Sequence, residues 1–365
     1  MTPDPKGDLI TFLVPGPLDA RTGGYEYDRQ MVRALRAQGL AVELVALDSS
    51  FPDPTATARH HAAQQFAQLP DGAVVIVDGL AFGALPDEAA REASRLRIVA
   101  LVHHPLAMET GVTSERKEAL QDSETRALRS ASLVVVTSAQ TGRVLQHAFG
   151  VAAETCAVVE PGTEAAPLAQ GSDGRHGVEL LCVASVIPRK GHEVLLRALA
   201  GLRDRSWRLT CVGSLDMHPP TARAVLTLIR EAGLETRIVL PGSVDPAHVA
   251  DFYDHTDLLV MPTFYEGYGM VVAEALARGI PVVGTQTGAI PDLVGADAGL
   301  LVPPGDEAAL AKALQSVLDD PPLRARLQAG AREVRGRLPT WDRSAATLAG
   351  VLQRLAASGA ARGIL

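Results

Sequence analysis

Cysteine is scarce in this 365-residue chain: Cys156, Cys182 and Cys211 stand singly within apolar runs. None shows the paired spacing of a zinc site or a disulfide framework, so reduced, buried thiols are expected. No uninterrupted apolar run reaches the roughly 18 residues that a membrane-spanning helix needs. The opening MTPDPKGDL has neither the basic region nor the apolar core of a secretory signal. A cytoplasmic protein is the expectation, with membrane contact at most peripheral. Positive charge is short as well: 34 Lys and Arg face 42 Asp and Glu, a formal charge of -8. That balance gives no general attraction for nucleic acid or an anionic surface. No repeat with a period of about 20–50 residues occurs, which excludes solenoids and propellers.

What is present describes a soluble globular chain, 47% hydrophobic and 21% charged. Its length exceeds one ordinary hydrophobic core, so two domains are expected. The first half offers the apolar runs DLITFLV, AVELVAL, AVVIVD, RIVALV, SLVVVT and CAVVE. Such continuous runs suit strands covered on both faces of a parallel sheet. Between them lie helical patterns, as at 24–38, where Tyr27, Met31 and Leu35 recur at i, i+4 and i+8 before Gly39. The stretch 161–177, PGTEAAPLAQGSDGRHG, has no periodicity and reads as a linker. The alternation then restarts with VELLCVA, WRLTCVG, TRIVLPG, DLLVMPT, PVVGT and GLLVP. The expected fold is α/β, with two Rossmann-like, doubly wound parallel-sheet domains facing a cleft. The first covers residues 1–165 and the second 166–340. A terminal helix within 341–365 offers Trp341, Leu348, Val351, Leu352 and Leu355 for packing and is expected to cross back to the first domain.

In wound sheets, ligands bind beyond the carboxyl ends of the strands, and four stretches at those ends carry chemistry. In YEGYGMVVAEALARG (265–279), Gly267 and Gly269 permit a sharp turn, after which Met270, Val271 and Val272 would present N–H groups to an anion. Glu274, one turn further in, can accept two hydroxyl hydrogen bonds, as from a ribose, and Glu266 would face the anion's far side. Acids near a helix start also stabilise its dipole without binding anything, which is the structural alternative. In VASVIPRKGHEVLLRAL (183–199), Arg189 and Lys190 precede Gly191 and a helix, placing positive charge where phosphate oxygens would need it. A solvated basic turn is the alternative there. In PGPLDARTGGYEYD (15–28), Gly23 and Gly24 allow close backbone approach but match neither the dinucleotide fingerprint nor the nucleoside-triphosphate loop. In VALVHHPL, His103 or His104 could bond a sugar hydroxyl or satisfy backbone groups.

Taken together and in this order, these features resemble the retaining nucleotide-sugar glycosyltransferases of family 4, which have the GT-B fold. The resemblance covers nearly the whole chain and rests on Gly23-Gly24, His103, Lys190-Gly191, and an E-x7-E signature from Glu266 to Glu274 inside YEGYGMVVAEALARGIPVVGTQTGAIPDLV. It implies catalytic roles for His103, Lys190 and Glu266. It also implies ribose binding by Glu274, diphosphate and sugar binding by the 270–272 amides, diphosphate contact at Gly24, and a base-flanking role for Gly242 and Ser243. One departure stands out, because Ser185 occupies the position of the family's usual arginine; Arg189 is expected to supply the missing charge, the alternative being a site that runs with one cation and the Ser185 hydroxyl.

The activity implied is transfer of a hexose-type sugar from a UDP- or GDP-sugar to an unknown acceptor hydroxyl, with retention. No Asp-x-Asp occurs, so no metal is expected on the donor and no cofactor is needed. Acceptor contacts are expected from loops 17–27 and 104–116, with Tyr25, Glu26, His104, Glu109 and Thr110 as hydroxyl partners. A non-catalytic nucleotide-sugar binder on the same scaffold and a nucleotide-sugar epimerase are the alternatives.

Overall fold

The computed structural model describes residues 9–18 and 22–362. Asp8 and the residues before it, and 19–21 of the first expected acceptor loop, lie outside the described residues. The chain forms two compact units: residues up to Gly162 together with those from Pro339 onward, and Thr163–Leu338.

All twelve apolar runs form strands. In the first unit β1 (Ile10–Pro15), β2 (Val42–Leu47), β3 (Val74–Asp78), β4 (Arg97–Val102), β5 (Leu133–Val136) and β6 (Cys156–Val158) make one parallel sheet, in the order β2-β1-β3-β4-β5-β6. In the second, β7 (Val178–Val183), β8 (Trp207–Val212), β9 (Ile238–Gly242), β10 (Leu258–Met261), β11 (Val282–Thr285) and β12 (Gly299–Val302) make another, in the order β12-β11-β10-β7-β8-β9. Each order reverses once, between β1 and β3 and between β7 and β10. Neighbouring strands there send their chains to opposite sides, which opens a crevice at their carboxyl ends.

Successive strand residues point to opposite faces, and the cores follow that rule. In the second unit Leu180, Cys182, Leu258 and Val260 join one cluster, whereas Leu181, Leu259 and Met261 join another. Helices His192–Ala200, Pro219–Glu231 and Glu307–Asp319 cover the first face, and Met270–Ala277 with Ile290–Val294 the second. Inner strands such as β5 and β10 are therefore apolar and buried along their whole length. The outer strand β2 is half exposed, as a sheet edge permits.

No helix or strand forms between Val159 and Gly177. The later part of this stretch is bonded to the second unit: Ala169 N–H donates to the Arg278 carbonyl at 2.9 Å, and Gly171 N–H to that of Asp254 at 2.9 Å. The last helix, Trp341–Arg362, packs on helix Gly23–Ala37 of the first unit. Trp341 stands edge-on to Tyr27 at 5.8 Å, and the Tyr27 hydroxyl donates to the Val159 carbonyl at 3.2 Å. Gly162 abuts the same tryptophan so closely that a Cβ would lie 2.2 Å from its backbone nitrogen. Trp341, Leu348, Val351 and Leu352 are buried, while Leu355 is half-buried. No helix among the described residues is long and apolar enough to cross a membrane.

Trp341 thus joins the last helix to the body of the first unit. Trp341→Ala is expected to cost about 3–5 kcal/mol, the usual loss for a buried large aromatic. Urea denaturation followed by far-ultraviolet circular dichroism checks this; a change below about 1 kcal/mol would show that the helix is held by other contacts.

Candidate functional site

In the first unit the glycine pair does not form a loop but opens the helix Gly23–Ala37, with Thr22 as its cap; the Thr22 hydroxyl accepts from Tyr25 N–H at 3.5 Å. Gly24 lies against His103, where a Cβ would be 3.2 Å from the ring's Cδ2. The same helix carries Asp28 one turn on, and β3 ends in Asp78. His103 Nε2 lies 3.0 Å from Asp28 Oδ1 and 3.3 Å from Asp78 Oδ2. The Tyr27 ring meets the imidazole edge-on at 4.9 Å.

Asp28 is fully buried and Asp78 nearly so. Asp78 serves twice, since its other oxygen accepts from Leu80 N–H at 2.8 Å and caps the short helix Gly79–Phe82. Burial pulls the His103 pKa down, but the charges and hydrogen bonds of Asp28 and Asp78 more than reverse this and raise it to about 10. Burial lifts the Asp28 carboxyl to about 7 against the lowering influence of His103, with Asp78 adding to the rise. The group is best described as one coupled cluster whose favoured proton sits on the imidazole. Nε2 therefore faces two carboxylates inside the protein.

The residues expected to meet an acceptor are largely engaged within the chain. The Tyr25 hydroxyl donates to the Pro15 carbonyl, and burial, with Asp78 and Asp28, pushes its pKa up to about 12. Glu26 pairs with Arg29 and accepts from Gln30 Nε2 at 2.8 Å. His104 Nε2 lies 3.6 Å from a Glu109 carboxylate oxygen, and Thr110 N–H donates to the other Glu109 oxygen at 3.1 Å.

In the second unit Arg189, Lys190, Glu266 and the 267–274 segment, expected to hold the donor, follow β7 and β10 at the reversal. Lys190 Nζ is 2.6 Å from Glu266 Oε2, with both side chains about five-sixths buried, at 15% and 16% exposure. Two local features allow this approach. Gly191 adopts φ +69°, and a Cβ there would stand 2.1 Å from the Pro262 carbonyl oxygen, so only glycine lets the 188–191 turn close on the segment after β10. The Thr263 hydroxyl then bridges the carbonyls of Arg189 and Tyr265, at 3.0 and 2.8 Å. Thr285, from β11, donates in turn to the Thr263 carbonyl at 2.6 Å. Arg189 Nη1 donates to the Tyr265 carbonyl at 2.9 Å, so this guanidinium reaches the acidic loop through its backbone.

Gly269, at φ +96°, precedes helix Met270–Ala277 with no side-chain cap. Val272 N–H donates to the Gly269 carbonyl at 2.9 Å. That bond corrects one expectation: the tight first turn uses the Val272 amide internally, leaving those of Met270 and Val271 without a partner among the described residues. Glu274 accepts from the Tyr253 hydroxyl at 2.9 Å, and the Arg278 guanidinium lies 4.5 Å from the centre of the Tyr253 ring. Burial and Glu274 push the Tyr253 hydroxyl pKa well up, so it remains a donor to the carboxylate.

Ser185 follows β7, and Gly242 ends β9, where its carbonyl accepts from Gly213 N–H at 3.0 Å. Ser243 is exposed beside it. Gly242 and Ser243 thus lie at the end of β9, and Ser185 between β7 and the turn that carries Lys190. The sequence reading missed Asp28, Asp78, Tyr253, Thr263 and Thr285. Asp78 left a signal, an acid closing the buried run AVVIVD, and Asp28 follows Gly24 at helical spacing on the buried face.

The second-unit arrangement offers a cation, two unpartnered amides at a helix start and two carboxylates, a set suited to an anion carrying hydroxyl groups. Comparisons with known proteins point the same way. The model of the glycosyl transferases group 1 family matches residues 177–320. The MMP alpha-(1->4)-mannosyltransferase of Mycolicibacterium hassiacum is 30% identical over 280 residues, 72% of this chain and 67% of that protein. The D-inositol 3-phosphate glycosyltransferase of Xylanimonas cellulosilytica is 36% identical over 160 residues, 44% of this chain and 38% of that protein. The matched part is thus between 38% and 67% of these relatives' own length. Among solved structures, a sucrose-phosphate synthase from Thermosynechococcus elongatus aligns with a TM-score of 0.81 at 22% identity, over 96% of this chain and 100% of that one. HepE of Anabaena, in complex with UDP and glucose, aligns with a TM-score of 0.72 at 19% identity, over 94% of this chain and 99% of that one. With its two six-stranded parallel sheets in the GT-B fold, the chain belongs to the group 1 glycosyl transferases.

Proposed function

We propose that the protein transfers a hexose-type sugar from a UDP- or GDP-sugar to an acceptor hydroxyl, with retention at the anomeric carbon and without a donor-bound metal. The observation that carries this reading is the Lys190–Glu266 contact beside the open amides of Met270 and Val271. A bound diphosphate offers Lys190 a doubly charged partner in place of one carboxylate. Glu266, released, turns to the sugar hydroxyls, and Glu274 takes the ribose.

The leaving diphosphate gathers negative charge as the glycosidic bond breaks, and Lys190 with the two amides stabilises it where a metal would otherwise act. The sequence has no Asp-x-Asp to hold such a metal. Retention follows if the acceptor attacks the face the diphosphate leaves and gives its proton to the departing phosphate oxygen; no protein nucleophile is then required. HepE of Anabaena, solved with UDP and glucose, supports the donor class by analogy. The first unit is proposed to take the acceptor and to supply His103, whose Nδ1–H would bind a sugar hydroxyl. Arg189 adds positive charge near the diphosphate in place of the arginine that Ser185 replaces. Cytoplasmic residence completes the proposal, since nucleotide sugars are its substrates.

Two sets of experiments test the reading. Incubation with UDP- and GDP-sugars should give slow release of nucleoside diphosphate. Glu274→Ala should weaken donor affinity by about 10- to 100-fold, the loss of charge-assisted hydrogen bonds. No hydrolysis of any nucleotide sugar, with tight binding retained, would favour a pure binder; conversion of the donor without nucleotide release would favour an epimerase.

The second concerns pH. The groups facing His103 are Asp28 and Tyr27 from helix Gly23–Ala37 and Asp78 from β3, with Tyr25 acting on the same two carboxylates. Its pKa is raised on folding, so its contribution to stability is complete below about 6.5 and is lost as pH rises through about 10. The alkaline limb of turnover should follow the same proton. Asp28→Asn removes a charge 3.0 Å away and should move that limb toward neutrality by about one pH unit or more. An unmoved limb would mean that His103 does not act as a cation.

A further inference from the structure

The three cysteines look isolated in the sequence, but the fold brings two of them together. Cys182 on β7 and Cys211 on β8 are register partners on adjacent parallel strands, so both side chains leave the same face of the sheet. That face is covered by helix His192–Ala200, whose first residue points its ring at them. Cys182 Sγ lies 3.8 Å from His192 Nε2, and the two Sγ atoms and a ring nitrogen all fall within 4.8 Å of one another. All three residues are buried, at 0%, 3% and 2% exposure.

A buried histidine is ordinarily explained by polar groups that it satisfies. Among the described residues Nε2 has only the Cys182 sulfur as partner, and the buried Nδ1 has none. The ring is therefore aimed at thiols, in an interior otherwise lined by aliphatic residues such as Leu195, Leu209 and Val260.

From this geometry we infer that Cys182, Cys211 and His192 form a binding site for a soft divalent cation, with zinc as the ion of best fit. With Zn–S near 2.3 Å and Zn–N near 2.0–2.1 Å, ligand atoms around one zinc stand about 3.5–4.0 Å apart. The observed 3.8 Å between sulfur and nitrogen already meets that spacing, and the 4.8 Å limit requires at most a small contraction. Charge agrees as well: two thiolates, Zn²⁺ and a neutral imidazole sum to zero, which an apolar interior accepts, whereas a monovalent ion would leave one negative charge buried. On binding, two S–H bonds break and two protons pass to solvent. Two Zn–S bonds and one Zn–N bond form, and no electron is transferred.

The site is separate from donor chemistry and stands whether or not the proposed transfer is correct. Its consequence is local: it would tie β7, β8 and the start of the helix together directly behind the 188–191 turn that carries Lys190. Cys156, on β6 of the other unit, is half-buried and takes no part.

The test is metal content and spectroscopy on the full chain. Protein demetallated with a chelator and titrated with Co²⁺ should develop a thiolate-to-cobalt charge-transfer band that saturates near one equivalent and is displaced by Zn²⁺. Cys182→Ser and Cys211→Ser should abolish the band, His192→Gln should weaken it, and Cys156→Ser should leave it unchanged. Added Zn²⁺ should also raise the melting temperature of the demetallated wild type, a readout that does not depend on how well the serine variants fold. No band and no shift in Tm in the wild type, or a band that survives Cys182→Ser, would overturn the inference.

Discussion

The contact between Lys190 and Glu266 is the constraint around which the second unit is built. Taking an ammonium and a carboxylate mostly out of water is costly, and their attraction compensates only when geometry holds them close. Here the backbone supplies that geometry. Gly191 removes the side chain that would collide with Pro262, Thr263 draws the carbonyls of Arg189 and Tyr265 to one hydroxyl, and Thr285 fixes Thr263 from the next strand. The pair can meet because β7 and β10 are neighbours although about 80 residues of chain lie between their first residues. The arrangement holds a cation and an anion side by side before the helix Met270–Ala277.

The first unit solves a different problem at its own reversal point. There the cation is a histidine, whose charge at neutral pH needs support. Asp28 and Asp78 give that support from a helix and a strand end. Gly24 and Tyr27 close on the ring from other sides and limit its orientations. Lysine carries its charge at neutral pH unaided, whereas histidine at that position requires buried partners. This difference matches the single carboxylate that Lys190 meets and the two that hold His103.

Much of this was legible in the chain because its evidence is local. Each strand announces itself as an apolar run, since inner strands of a parallel sheet are covered on both faces. The start of helix Met270–Ala277 follows from Gly267 and Gly269, and the proximity of Lys190 to a glycine-relaxed turn follows from Gly191. What stayed hidden depends on which strands become neighbours. Asp28 and His103 are 75 positions apart, and Cys182 pairs with Cys211 only because β7 lies beside β8. Strand order is set by the packing of whole layers, which no short window contains. The Val272 amide was misjudged for a finer reason: the expectation of three open amides assumed a regular helix start, and the chain closes its first turn more tightly.

The central claim is that the amides of Met270 and Val271, with Lys190, form the diphosphate seat. A crystal structure of the protein with UDP or GDP bound tests it most directly. The account predicts phosphate oxygens within hydrogen-bonding distance of both amides and of Lys190 Nζ, the ribose on Glu274, and the Lys190–Glu266 contact opened from its 2.6 Å. A nucleotide bound elsewhere, or bound with that contact intact, would contradict it.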